Sequence, residues 1–88
     1  MEAYPIPFRV DRDDAPVYRF VNTGPETLRG VSALLLGPGV MPVGLPMVLR
    51  PSDAMELTIR GRDLELATSV VIRWLRPNDE EYAWRTVF

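Results

Sequence analysis

Three aspartates close together, Asp11, Asp13 and Asp14, come nearest to a metal site by residue type and spacing. A calcium ion needs several convergent oxygen ligands, and carboxylates supply them. The segment lacks the glycine and the closing glutamate of an EF-hand loop. Its pattern therefore favours a solvated acidic turn ahead of Ala15-Pro16, with calcium binding left as an open alternative. We expect no bound metal and no cofactor.

Other acidic residues offer pairs that acid–base catalysis could use, but nothing near them in sequence would tune their pKa values. Asp63 with Glu65, and the run Asp79–Glu81, fall in predicted turns, where charged side chains usually meet water. Serines are present, but the chain contains no histidine to activate them. The absence of cysteine and lysine also excludes thiol nucleophiles, zinc–thiolate sites and Schiff bases. We expect a protein that is not an enzyme.

Composition limits the chain to one small folded unit. With 88 residues, 47% of them hydrophobic and 25% charged, it can build a single core, and we expect one domain over residues 1–88. All ten basic residues are arginines, and twelve acids leave a net charge of −2. That balance gives no excess of positive charge with which to bind nucleic acid or an anionic membrane.

The sequence also indicates where the protein resides. Met1 to Pro5 carries an acid where a signal peptide has basic residues, and no apolar stretch follows it. The longest apolar region, Val31 to Leu49, is interrupted by several glycines and prolines, so it does not predict a membrane helix. If Met1 is the natural start, we expect a cytoplasmic protein.

Both tryptophans lie in the last stretch of the chain, Thr68 to Phe88, which predicts a β-hairpin around a Pro-Asn-Asp turn. Apolar and aromatic residues alternate on each side of the turn: Val70, Ile72 and Trp74, then Tyr82, Trp84 and Phe88. Both sets share one face only if opposed residue numbers have an even sum. We therefore predict a loop of odd length, or a bulge, within Arg76 to Glu81. Otherwise one aromatic set would face solvent, as a platform for a sugar or small ligand.

Short period-two segments separated by turn signals precede this hairpin. Tyr4–Val10 contains two prolines and predicts an edge strand, and Val17–Val21 predicts a second strand. Leu28–Leu36 is apolar on both faces, so its outer side is either covered or available to a partner. Met47–Leu49 leads into a turn, and Met55 to Ile59 predicts a strand with one wet face. No helical periodicity extends over a useful length, so we predict an all-β, antiparallel β-sandwich of about seven strands.

Several of these segments resemble known small β-sandwich domains. Phe20-Val21-Asn22-Thr23-Gly24, then Leu49-Arg50-Pro51-Ser52-Asp53, then the strands of Trp74 and Trp84 are similar to immunoglobulin-like and fibronectin-III-like domains of bacterial proteins, including CARDB-type adhesion modules. Ser52 stands where that family often has glycine. The resemblance covers Pro16 to Phe88, and it implies an immunoglobulin-like sandwich with a binding or scaffolding role.

Two regions are candidates for such binding. The loop Gly37–Pro46 cannot form a regular helix or central strand, yet it carries Met41, Val43 and Leu45. It is expected to fold over one end of the core or to form an irregular edge strand, and the functional alternative is a preshaped apolar contact. The second region is the reverse side of the closing hairpin, where aliphatic and guanidinium groups alternate: Val71, Arg73, Leu75, Ala83, Arg85 and Val87, with Arg19 or Arg29 added from neighbouring strands.

A surface that mixes aliphatic side chains with arginine is typical both of a solvated sheet face and of a protein interface. We expect the chain to be a non-catalytic domain that binds or scaffolds protein, either a separate partner or a second copy in a homodimer. Strand addition at an exposed sheet edge is another route to the same role. The alternative is a small-ligand or carbohydrate module that uses Trp74 and Trp84.

Overall fold

The structure is a computed structural model that describes residues 3–88; Met1 and Glu2, which entered the expectation about a signal peptide, lie outside the described residues. The described chain is mostly β-structure with one short helix. In chain order the elements are β1 (Phe8–Asp14), β2 (Val17–Asn22), β3 (Leu28–Leu36), β4 (Met47–Leu49), β5 (Ala54–Thr58), α1 (Leu64–Ala67), β6 (Ser69–Leu75) and β7 (Glu81–Val87). Seven strands match the predicted number.

The strands form two antiparallel sheets. One has three strands in the order β1-β2-β5, and the other has four in the order β4-β3-β6-β7. Strands that follow each other in sequence cross between the sheets at β2 to β3, β4 to β5 and β5 to β6. Each sheet therefore has two edge strands, and β1 is one of them as predicted. The strand begins at Phe8 and not at Tyr4, so Pro5 and Pro7 precede it instead of lying within it.

A single hydrophobic core fills the space between the sheets. Alternation places one side of every strand inward, so that both sheets contribute fully buried side chains. The core consists of Phe8, Tyr18, Phe20, Leu28, Val31, Leu49, Met55, Ile59, Leu64, Val70, Ile72 and Trp74. Two antiparallel layers over one shared core confirm the all-β prediction and fit a sandwich arrangement.

The closing hairpin has the register that parity requires. Every pair between β6 and β7 sums to an even number, with Trp74 opposite Tyr82 and Ile72 opposite Trp84. The connection from Arg76 to Glu80 has five residues, and Asp79 supplies the left-handed backbone, with φ 66°, that tightens it. The predicted loop of odd length is confirmed, and both aromatic sets face the core.

The acidic segment is where the structure corrects a predicted boundary. Asp11, Asp13 and Asp14 do not form a turn; they belong to β1, which continues through an irregularity between Asp11 and Asp14. The turn comes immediately afterwards, at Ala15 and Pro16. The strand extends this far because Asp14 still pairs with Val17 of β2, which local propensity did not indicate.

The two motifs that carried the family resemblance meet in space through Asn22, a fully buried side chain at the end of β2. Its amide donates to the carbonyl of Glu26 at 2.8 Å and to that of Leu49 at 3.1 Å. Its backbone exchanges hydrogen bonds with the turn that follows Leu49, accepting from the Ser52 amide and donating to the carbonyl of Asp53. Asn22 thus joins the end of the three-stranded sheet to β4 of the other.

Candidate docking surface

The outer side of the four-stranded sheet carries several of the large apolar side chains that remain in solvent. Leu34 of β3 lies opposite Val71 of β6, which lies opposite Arg85 of β7. The next row places Leu36 and Val87 on either side of Ser69. Leu34 is 57% exposed and Val87 is 62% exposed. We call the surface formed by Leu34, Leu36, Val71, Arg73, Leu75, Ala83, Arg85 and Val87 the apolar face.

All six hairpin residues that the sequence predicted to share a face lie on the apolar face: Val71, Arg73, Leu75, Ala83, Arg85 and Val87. Leu34 and Leu36 were not in that set. The signal that could have found them was the apolar character of β3 on both of its sides, since their outward positions alternate with inward-facing Ala33 and Leu35.

Most charges on the apolar face lie towards the hairpin turn and are paired with one another, and Arg85 is the exception. Arg73 forms an ion pair with Glu81, and Arg29 forms one with Asp79 in the hairpin turn. Arg85 donates from its Nε to the Ser69 hydroxyl at 2.9 Å, which covers that serine. Arg29 therefore adds to this face, as one alternative predicted. The rows of Leu34 and Leu36, at the other end, hold aliphatic side chains, and their polar members are Arg85 and Ser69.

The outer side of the three-stranded sheet is different, and we call it the charged face. Its central row consists of Asp11, Arg19 and Glu56. The Arg19 guanidinium lies 2.7 Å from Asp14 and 3.2 Å from Glu56, and the hydrogen bond to Asp14 is the main reason that the pKa of Arg19 is raised. Because Arg19 lies on this sheet, it does not contribute to the apolar face.

The loop Gly37–Pro46 forms a second exposed apolar region. Val43 and Leu45 are 96% and 88% exposed, whereas Met41 packs partly against the core. Val40 is held by paired backbone hydrogen bonds with Arg60, at 2.8 and 2.9 Å. The loop borders a groove of about 260 Å³ between β3 and β5. Met41, Val43 and Leu45 therefore belong to the open edge of the two layers rather than to the apolar face.

The tryptophans are part of the packing between the sheets. Trp74 is 1% exposed, and its indole N–H donates to the Tyr4 hydroxyl at 3.1 Å. Its ring meets the edge of Phe8 at 5.2 Å between centroids. Trp84 is partly buried and stacks parallel to Phe8, with 6.2 Å between ring centroids. Trp74 is consequently too enclosed to stack against a sugar.

One ionic site that the sequence did not indicate lies at the end of the core near the hairpin turn. The Arg76 guanidinium binds both carboxylate oxygens of Glu26 at 3.0 Å and sits 4.0 Å above the ring of Tyr4. The bidentate hydrogen bond to Arg76 lowers the pKa of Glu26 and raises that of Arg76, while burial raises the pKa of Tyr4. Fifty residues separate Glu26 from Arg76, so no local pattern pairs them.

These groups border a crevice of about 560 Å³ lined by the N-terminal segment and by the turn after β2. Arg76 and Glu26 form hydrogen bonds with each other there. Elsewhere in residues 3–88, no group of three or more acidic side chains converges as a cation site would require. Asp14 is engaged with Arg19, and Asp11 accepts a hydrogen bond from the amide of Asp13.

No described segment has the helical length and hydrophobicity that crossing a bilayer demands. Comparison with known proteins found no family model, no curated protein and no solved structure that matches the chain.

Proposed function

We propose that this chain is a non-catalytic, immunoglobulin-like domain that binds protein through its apolar face. One observation carries the proposal: large aliphatic side chains remain exposed together on one outer face, with arginines beside them, while the other outer face is charged. Exposed aliphatic residues that occur singly need no explanation, but a contiguous patch bordered by polar groups is typical of an interaction site.

The strand order supports the immunoglobulin-like part of the proposal. In the immunoglobulin nomenclature the seven strands would correspond to A, B, C, C′, E, F and G, with A, B and E in one sheet and C′, C, F and G in the other. The fold alone does not define a function, so the binding role depends on the composition of the face.

The residue types on the face suit a protein partner. Arginine is enriched in protein interfaces and lysine is depleted, and Arg73 and Arg85 present guanidinium groups beside aliphatic neighbours. Each square ångström of apolar surface removed from water contributes about 25 cal/mol. Leu34, Leu36 and Val87 would supply that burial in a contact. A sugar-binding role receives less support because Trp74 is inside the core.

Affinity capture with matched variants tests the proposal. The tagged chain is incubated with a lysate of the organism that encodes it, next to Leu34→Glu on the apolar face and Val21→Glu on the charged face. Val21 lies between Arg9 and Ala54 on that second face, and its side chain points outward. We expect a captured protein that Leu34→Glu loses and Val21→Glu retains. Equal capture by the two variants would contradict the proposal.

A further inference from the structure

We infer that the apolar face binds a second copy of this chain, in a two-fold symmetric dimer centred near Leu34. The inference rests on the proposed function, since it names the partner of the same face. A two-fold dimer brings one patch against itself, so the patch must be complementary to its own image. The charges, the placement of the apolar residues and the size of the face each bear on that requirement.

The charges of the face permit self-association. Arg29 and Arg73 are already paired with Asp79 and Glu81 of the same chain. Arg85 is held against the neutral hydroxyl of Ser69. Each copy would therefore bring one uncompensated positive charge to the contact, that of Arg85, while the charges of Arg29 and Arg73 are balanced within the chain. A partner selected by charge, such as a strongly acidic segment, would instead require unpaired arginines across the face.

The apolar residues are grouped so that one rotation can bury them all. Leu36 and Val87 flank Ser69 in the row at one end of the sheet, and Leu34 and Val71 share the neighbouring outward row with Arg85. Arg73 and Glu81 lie in the rows beyond. A two-fold axis that passes close to Leu34 stacks the aliphatic rows of both copies and leaves the ion pairs at the periphery. An apolar centre with a polar rim is the usual anatomy of a protein interface.

The size of the face indicates how tight the dimer would be. Three strands about 4.8 Å apart, with about 3.3 Å per residue over roughly seven residues, give the face a projected area of roughly 330 Å². A standard stable interface buries about 800 Å² of accessible surface on each partner. The face is small by that measure, so the expected dimer forms reversibly, with a dissociation constant on the order of micromolar.

Sedimentation equilibrium of the full chain across a range from about 1 to 500 micromolar tests the inference, since a micromolar dissociation constant falls within it. The wild type should change from monomer to dimer over that range. Leu34→Glu would place an unpaired carboxylate at the centre and should raise the dissociation constant at least about 100-fold, whereas Val21→Glu should leave it unchanged. Circular dichroism and thermal melting establish that both variants are folded.

A cysteine cross-link supplies the second measurement, because the chain has no cysteine of its own. Under mild oxidation, Leu34→Cys should form a disulfide-linked dimer faster than Val21→Cys does. Equal rates, or a wild type that stays monomeric at every concentration, would overturn the second-copy inference. A monomeric wild type whose captured partner still depends on Leu34 would leave the proposed function standing, so the two failures are distinguishable.

Discussion

The two outer faces of the molecule carry different kinds of side chain at their outward positions. On the charged face, the outward positions around Arg19 hold acids and bases within ion-pair distance of one another. On the apolar face, the outward positions around Leu34 hold aliphatic side chains that stay in solvent. Both faces belong to sheets that share one core, so core packing alone does not require the difference.

The contrast distinguishes the inward residues that stabilise the domain from the outward residues that a partner can contact. Stability arises between the sheets, where Trp74, Ile72 and Val31 are almost fully buried. An outward aliphatic residue contributes little to that core, and its exposure to water is unfavourable. Removing the inward residues should therefore unfold the chain, whereas altering the outward residues should change association and leave folding intact.

Two neighbouring residues of β6 should differ most in how much their substitution lowers the free energy of unfolding. Ile72 faces the core and is 0% exposed, while Val71, next to it in sequence, faces outward on the apolar face. We expect Ile72→Ala to lower the free energy of unfolding by about 2–5 kcal/mol. Val71→Ala should lower it by less than about 1 kcal/mol. Urea unfolding followed by tryptophan fluorescence measures both; similar losses would mean that the outer face is also structural.

A backbone change outside both faces should raise stability. Ser52 has a φ of 74° in the turn after Pro51, where the amide of Asp53 donates to the carbonyl of Arg50. This left-handed conformation is unfavourable for serine and accessible to glycine. We expect Ser52→Gly to increase the free energy of unfolding by about 1 kcal/mol. A lower melting temperature for Ser52→Gly would show that no strain is relieved.

Charge introduced on the outer faces should have little effect on the monomer. Leu34→Glu and Val21→Glu each place a carboxylate at an outward position on opposite sheets. We expect each to change the free energy of unfolding by no more than about 0.5 kcal/mol when measured in dilute solution. A large loss for Leu34→Glu alone would indicate that the apolar face packs within the chain, which would remove the basis of the comparison.

The smallest effect at neutral pH concerns Glu26, which lies on neither outer face. Its pKa is lowered from the ordinary 4.5, chiefly by the hydrogen bonds from Arg76. Because the pKa of Glu26 is lower in the folded state, the ionised side chain stabilises the fold at pH values above its ordinary pKa. That stability is lost as the pH falls through the pKa of the folded state. Glu26→Gln should therefore be slightly less stable than wild type at pH 7 and equal to it in strong acid. A constant difference in melting temperature at all pH values would contradict this assignment.

Local patterns are sufficient to predict most of the strands and the hairpin register. The alternation around Trp74 and Tyr82, combined with parity, predicts a loop of odd length, because side chains point to opposite faces at every step. The outward set from Val71 to Val87 follows from the same rule. The hairpin part of the apolar face can therefore be predicted from the sequence pattern alone.

The remaining features depend on contacts between distant segments. The acidic segment is a strand because Asp14 pairs with Val17 across the turn, although Asp is a poor strand former. The pairing of Glu26 with Arg76 and the position of Asn22 between the sheets join residues that no local spacing relates. Leu34 belongs to the apolar face because β3 lies beside β6, and that pairing joins segments far apart in the chain.

Site-specific photo-cross-linking in living cells tests the central claim most directly. A benzophenone side chain is placed at Leu34 or Val87 on the apolar face, and at Val21 or Glu56 on the charged face. We predict cross-linked products from the first pair and none from the second, with a doubled mass where the partner is a second copy. Products from the charged-face positions only, or equally from all four, would contradict the claim that the apolar face is the docking surface.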